Sequence, residues 1–355
     1  MTTIRESGHG SGDREAAAGK GGGTVLREVP VREAVGLRLA HDLTQIIPGQ
    51  FKGRLFQKGH LIREEDIPRL LDIGKEHIYI MQLGGNELHE DDAAVRMARA
   101  IYGDGIRLTE PHEGKVSLKA SGLGLSQVDP GFVRSVNALG EIALATVKSD
   151  VAVEAGRSVA ATRVIPLTVS KSKIEAVERL AEQYRTANGG AAPIRVLPFR
   201  TMRIGLLTTG GEVYSGRIQD KFGPAVRSKV EALGSGIAEQ RFVPDNRQAI
   251  VDEILDLANK GYDMILVTGG MSVDPDDRTP GAIKAAGADI VSYGTPMLPG
   301  SMLLVGYLRG IPIMGLPGCV MHDPYTSFDV ILPRLLAGQP VTREHIVDMG
   351  YGGLQ

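Results

Sequence analysis

From residue 202 onward the chain repeats one device: an apolar run of strand length that stops at glycine. Residues 202–209 (MRIGLLTT) end at Gly210-Gly211, residues 263–268 (DMILVT) at Gly269-Gly270, and residues 311–316 (IPIMGL) at Pro317-Gly318. Near-continuous apolar runs suit strands buried on both faces, the environment of a mostly parallel sheet. Between them lie helix patterns at 221–233, 247–260 and 280–286; in the second, apolar positions 250, 251, 254, 255 and 258 line one side. Shorter strand-like runs occupy 239–243, 290–293 and 302–308. This alternation predicts an open α/β sheet with helices on both faces, a three-layer domain over 202–338.

Upstream the texture differs. Residues 1–23 are rich in Gly, Ser, Ala and charge, with almost nothing to bury, and read as a disordered tail. Residues 24–86 read as a mixed α/β segment: a short strand with one helical turn near 29–36, a turn at Gly59, an amphipathic helix over 63–74 and a strand over 76–81. Residues 87–187 read as a β-rich domain with flanking helices at 91–102 and 171–187. Its short strand-like runs at 114–120, 142–147 and 158–167, separated by glycine turns, suggest a small barrel or sandwich. The segment 188–201, opening NGGAAP, reads as a linker, and 339–355 as a carboxy-terminal extension.

Composition narrows the function. A net charge of −2 argues against a nucleic-acid binder, which needs a basic stripe. A single cysteine, Cys319, excludes a disulfide framework, and is read as a buried inert thiol. No apolar run approaches the ~20 residues of a membrane span, and the start lacks a signal-peptide core, so a cytoplasmic protein is expected.

Ligands of open α/β sheets bind outside the carboxyl ends of the strands. Glycines there let backbone N–H groups approach a phosphate, helix amino-termini add a favourable dipole, and Thr and Ser hydroxyls add donors. Glu212, Asp220, Asp245, Asp274, Asp276 and Asp277 sit among these loops. Such carboxylates suit a bridging Mg²⁺ or the ring N–H groups of a ligand. Residues 274–277 also suit a capping turn ahead of Pro280.

The order TTGGEV, VPDN, DMILVTGGMSV, PMLPG and GIPIMGLPG resembles the molybdopterin-binding domain of molybdenum cofactor biosynthesis proteins. PVREAVGLRLAHDLT looks like the opening of the molybdopterin molybdenumtransferases, and KGHLIREEDIPRLLDIGKEHIYI is similar to the segment before their binding domain. The resemblance implies exchange of the AMP of adenylylated molybdopterin for molybdate, with Mg²⁺ at the acidic loops. It implies catalytic roles for Glu212, Asp245 and Asp277, and metal contacts from Glu212, Asp274 and Asp277. Pterin and phosphate would be held by Thr208, Thr209, Gly210, Gly211, Ser215, Gly269, Gly270, Ser272, Pro299, Gly300, Pro317 and Gly318. A homodimer is implied, with a molybdopterin adenylyltransferase or a molybdoenzyme as protein partner.

Departures fall at charged positions. Gly211 replaces an Asp, Asp274 replaces a Gly, and Leu298 and Ser301 stand where lysines flank the family's Pro-Gly. Losing a charged phosphate contact removes a charge-assisted hydrogen bond. A pterin-binding chaperone or sensor without catalysis is therefore the first rival reading. A nucleotide-handling, pyrophosphatase-like hydrolase using the same loops is the second.

Overall fold

The computed structural model describes residues 25–47, 51–272 and 278–355. The carboxy-terminal domain is a six-stranded sheet with helices on both faces. Its elements are β1 (Arg203–Thr209), α1 (Gly211–Tyr214), α2 (Phe222–Glu231), β2 (Gly236–Val243), α3 (Arg247–Asn259), β3 (Met264–Thr268), α4 (Thr279–Ala285), β4 (Asp289–Tyr293), β5 (Leu304–Leu308), β6 (Ile311–Leu316), α5 (Ser327–Leu336) and α6 (Arg343–Asp348). The strand order is β2-β1-β3-β6-β5-β4. β2, β1, β3 and β6 run parallel, and β5 and β4 add antiparallel at one edge.

The layering follows from the period-2 alternation of strand side chains. Ile204, Leu206, Met264, Leu266, Met314 and Leu316 pack on one face, with Val226, Val230, Phe328 and Leu332 of α2 and α5. Leu207, Ile265, Val267 and Ile313 pack on the other, with Ile250, Ile254 and Ile283 of α3 and α4. Each fully buried side chain of this size contributes about 1.5–3 kcal/mol. Both faces of the central strands are thus committed, which fixes where their carboxyl ends emerge.

The middle region corrects the barrel-or-sandwich expectation. Strands Ile142–Thr146, Ser158–Val164, Lys115–Ala120 and Ile106–Leu108 form one antiparallel sheet in that order. Helix Glu90–Ile101 packs on it, and a second, three-stranded sheet (Ala152–Val153, Gly124–Val128 and Ile194–Pro198) shares the core; the helix's small residues Ala93, Ala94 and Ala98 are buried beside Met97 and Ile101, letting helix and sheet approach closely. The segment 188–201, expected as a linker, carries strand Ile194–Pro198, paired antiparallel with Gly124–Val128. Ile194 and Val196 alternate into the same core as the helix, and this burial overrides the flanking Gly-Gly and Pro.

Further upstream, Val25–Pro30, His77–Gln82 and Arg38–Leu39 make a small antiparallel sheet. The 339–355 extension contains α6 and ends against the 298 loop: Leu298 N–H donates to Gly353 O at 2.7 Å and Gln355 N–H to Leu298 O at 3.0 Å. Among the described residues no helix is long and apolar enough to cross a membrane. The residues 1–23 lie outside those described.

Candidate functional site

The carboxyl ends of β1, β3 and β6 open onto a cleft with two arms, each of about 470 Å³. Phe222, Gly269 and Gly270 line both arms and join them. One arm adds Thr208, Thr209, Gly210, Glu212 and Asp245; the other adds Ser272, Gly300, Pro317, Gly318 and Cys319. The three glycine-ended strands therefore do converge.

Backbone geometry explains the glycines. Gly269 has φ +87°, and a Cβ there would lie 2.3 Å from the Thr209 carbonyl oxygen. Gly300 has φ +118°, with Ser327 Oγ 2.3 Å from its would-be Cβ. Only glycine lets these loops close on their neighbours. Buried hydroxyls hold the floor. Gln240 Nε2–H donates to Thr208 Oγ1 at 3.1 Å, Thr268 and Thr208 hydroxyls meet at 3.2 Å, and Thr279 Oγ1–H donates to Gly269 O at 2.8 Å, with Thr209 Oγ1 3.3 Å from Thr279 Oγ1. Ser327 Oγ–H and Thr295 Oγ1–H both donate to Gly300 O, at 2.7 and 3.1 Å.

The helix amino-termini differ from expectation. Asp220 accepts from Phe222 N–H at 2.9 Å and from Gly223 N–H at 3.1 Å, and also takes Gln240 Nε2–H at 2.7 Å. Asp245 Oδ2 accepts from Gly211 N–H at 2.7 Å, and Asn246 caps α3 through Ala249 N–H at 3.0 Å. Side chains of the protein thus occupy the first donors of α1, α2 and α3. The glycine loops at 269–272, 300 and 318 line the cleft instead.

The remaining expected residues fall as follows. Ser215 turns its hydroxyl back on its own helix, donating to Gly211 O at 2.7 Å, and does not line the cleft. Pro299 stands behind Gly300, its carbonyl accepting from Ser327 N–H at 3.3 Å. Glu212 and Asp245 are exposed at the mouth of one arm. Asp274 and Asp277 lie outside the described residues. Among the described residues no three His, Cys, Asp or Glu side chains converge as a metal cage. Mg²⁺ needs less, since one or two carboxylates suffice when phosphate and water complete its shell. Glu212 and Asp245 are two carboxylates that line one arm of the cleft.

Burial, and then the Asp323 carboxylate, push the Cys319 thiol above its ordinary value. The thiol therefore stays protonated near neutrality, as an inert thiol would, but it is half-buried and lines the cleft, which corrects the expectation that it is buried. Phe222 between the arms and Gln240 beneath Thr208 are contributions that no sequence pattern marked.

An open α/β sheet with a glycine-lined cleft at its parallel strand ends defines the class. Residues 205–337 match the family model described as "Probable molybdopterin binding domain", and residues 28–82 match one described as a domain of unknown function (DUF8806). The molybdopterin molybdenumtransferase of Staphylococcus aureus (strain COL) is 27% identical over 139 residues, 37% of this chain and 32% of that protein. A CinA-like protein of Mycobacterium avium (strain 104) is 35% identical over 77 residues, 22% of this chain and 18% of that protein. Both matches span a third or less of the relative's length. The crystal structure of the molybdopterin biosynthesis enzyme MoaB from Thermus thermophilus is 25% identical, covering 39% of this chain and 99% of that one at a TM-score of 0.33. The carboxy-terminal domain is a divergent member of the molybdopterin-binding domain family.

Proposed function

We propose that this chain acts late in molybdenum cofactor synthesis, as a transferase that exchanges the AMP of adenylylated molybdopterin for molybdate. One observation carries the reading: Gly269 and Gly270 lie against Thr209, so the β1 and β3 loops form one continuous cradle of backbone donors and buried hydroxyls. Such a cradle favours phosphate oxygens. The terminal phosphate sits in the 269–272 loop, with the pterin extending past Phe222.

Glu212 and Asp245, with Asp274 and Asp277 from the adjoining segment, are the residues that would hold Mg²⁺. Held by them, Mg²⁺ would supply positive charge to offset that of the substrate's phosphates. Asp245 has a second role, since its bond to Gly211 N–H fixes the loop that carries Glu212. A homodimer in the cytoplasm, handing product to a molybdoenzyme or receiving substrate from a molybdopterin adenylyltransferase, completes the proposal.

AMP release from adenylylated molybdopterin, molybdate and Mg²⁺ tests it. Activity that falls at least about tenfold in Glu212→Gln, with pterin binding retained, is the expected result. A protein that binds pterin but releases no AMP is instead a chaperone or sensor. One feature favours that second reading: Leu298 and Ser301 stand where the family's loop carries lysines, and Leu298 is exposed and apolar. A protein that binds plain nucleotide and no pterin sinks both.

A further inference from the structure

Beyond the cleft, a separate cavity of about 490 Å³ lies between β4, the 294–301 loop and α6. Ser301 lines both this cavity and the cleft arm that holds Gly269, Ser272 and Gly300, so the two adjoin. Among the described residues Arg343 is its one charged lining residue, and no carboxylate lines it. The guanidinium is held in place: Arg343 Nη1–H donates to Ser292 Oγ, whose own proton goes to Gly294 O at 2.7 Å. Ser292 is buried, so the anchor is fixed in the fold, while Arg343 stays exposed with further N–H groups to offer. Arg343 opens α6, whose Ile346 is buried in the core of the domain.

We infer that Arg343, delivered by the carboxy-terminal extension, forms with Ser301 a subsite for a tetrahedral oxyanion next to the pterin cleft. A planar guanidinium with one edge anchored presents its remaining donors in the fork that such oxygens match. The chemistry is shared by a free metal oxyanion and by the phosphate of a bound nucleotide. The inference rests on the cleft being the substrate site proposed above, yet it is measurable without turnover.

Calorimetric titration of the full chain with molybdate is the test. The expected result is saturable binding, weakened about tenfold or more in Arg343→Gln and partly recovered in Arg343→Lys, which keeps the charge without the fork. Ser301→Ala weakens it less. Competition by AMP marks a nucleotide phosphate as occupant, whereas indifference to AMP marks the free oxyanion; in both cases Arg343 is the contact. Wild-type affinity in Arg343→Gln, or no binding of molybdate, tungstate or phosphate by the wild type, overturns the subsite. Binding of a fluorescent oxidised pterin, measured on the same samples, separates the two claims. If pterin binds and oxyanion does not, only the subsite fails. If oxyanion binding depends on Arg343 and pterin does not bind, the proposed function fails and the subsite stands.

Discussion

Replacing Gly269 by alanine tests the cradle directly. The residue has φ +87°, where a Cβ costs about 1–2 kcal/mol through contact with its own backbone. The new Cβ would also lie 2.3 Å from Thr209 O. Reaching even 3.0 Å requires the two strand-end loops to part by 3.0 − 2.3 = 0.7 Å, against a backbone oxygen that no side-chain rotation can move. Forced separations of this kind cost about 1–3 kcal/mol more. Gly261, with φ +73° and nothing within 4 Å of its would-be Cβ, isolates the first cost from the second. Urea unfolding of the two variants, compared at unchanged m, is expected to place Gly269→Ala about 1–3 kcal/mol below Gly261→Ala. Pterin affinity should fall only in the former, because the displaced atoms line the cleft. Equal destabilisation of the two, or unchanged pterin binding in Gly269→Ala, would refute the close approach as the basis of the site.

Two further predictions concern pH. Hydrogen bonds from Arg241, then Tyr262, lower the Glu239 carboxyl to about 2. Its folded value lies below its unfolded one, so the stabilisation is present above about pH 4.5 and lost as pH falls toward 2. Acid unfolding of Glu239→Gln should therefore show a shallower loss across that window, read by circular dichroism. His89 caps helix Glu90–Ile101, its Nδ1 accepting from Asp91 N–H at 3.2 Å. Burial, then the Arg38 charge, lowers its pKa, so protonation favours the unfolded chain and stability should drop as pH falls below 6.5. His89→Asn keeps a capping acceptor and should flatten the profile between pH 7 and 5; an unchanged slope would assign the drop to another group.

The central sheet was legible because its signal is redundant. Residues 202–209 and 263–268 carry apolar side chains for two faces, and the strands observed are Arg203–Thr209 and Met264–Thr268. The helix read at 171–187 is Lys171–Ala187, with Ile174, Val177 and Ala181 buried as its stripe requires. Strand Ile194–Pro198 was hidden because two buried residues between prolines make no pattern, and its partner Gly124–Val128 lies about seventy residues away in sequence. Helix Pro130–Asn137 was overlooked despite its signal, an Asp129 cap ahead of Pro130 at the first turn. In the cleft, glycine positions were readable since positive φ and close approach are backbone demands. The capture of helix donors by Asp220 and Asp245 was not, because it depends on side chains meeting across segments that spacing does not relate.

That contrast bears on how such a domain diverges. A cradle made of backbone N–H groups survives changes in neighbouring charge, provided Gly269, Gly270 and Gly300 keep their conformations. Charge is free to be redistributed around it. In this chain Leu298 and Ser301 leave the 298–301 loop without a cation, while an extension from beyond Gly338 brings Arg343 to the far side of the same Ser301. A cation supplied by a separate element can be lost without unfolding the sheet, since the Arg343 side chain is tied to it through Ser292 at the edge strand β4. Arg343→Gln should then leave the urea unfolding transition of the six-stranded core unchanged while weakening oxyanion binding. A charge built into the loop itself would not separate from the fold in this way.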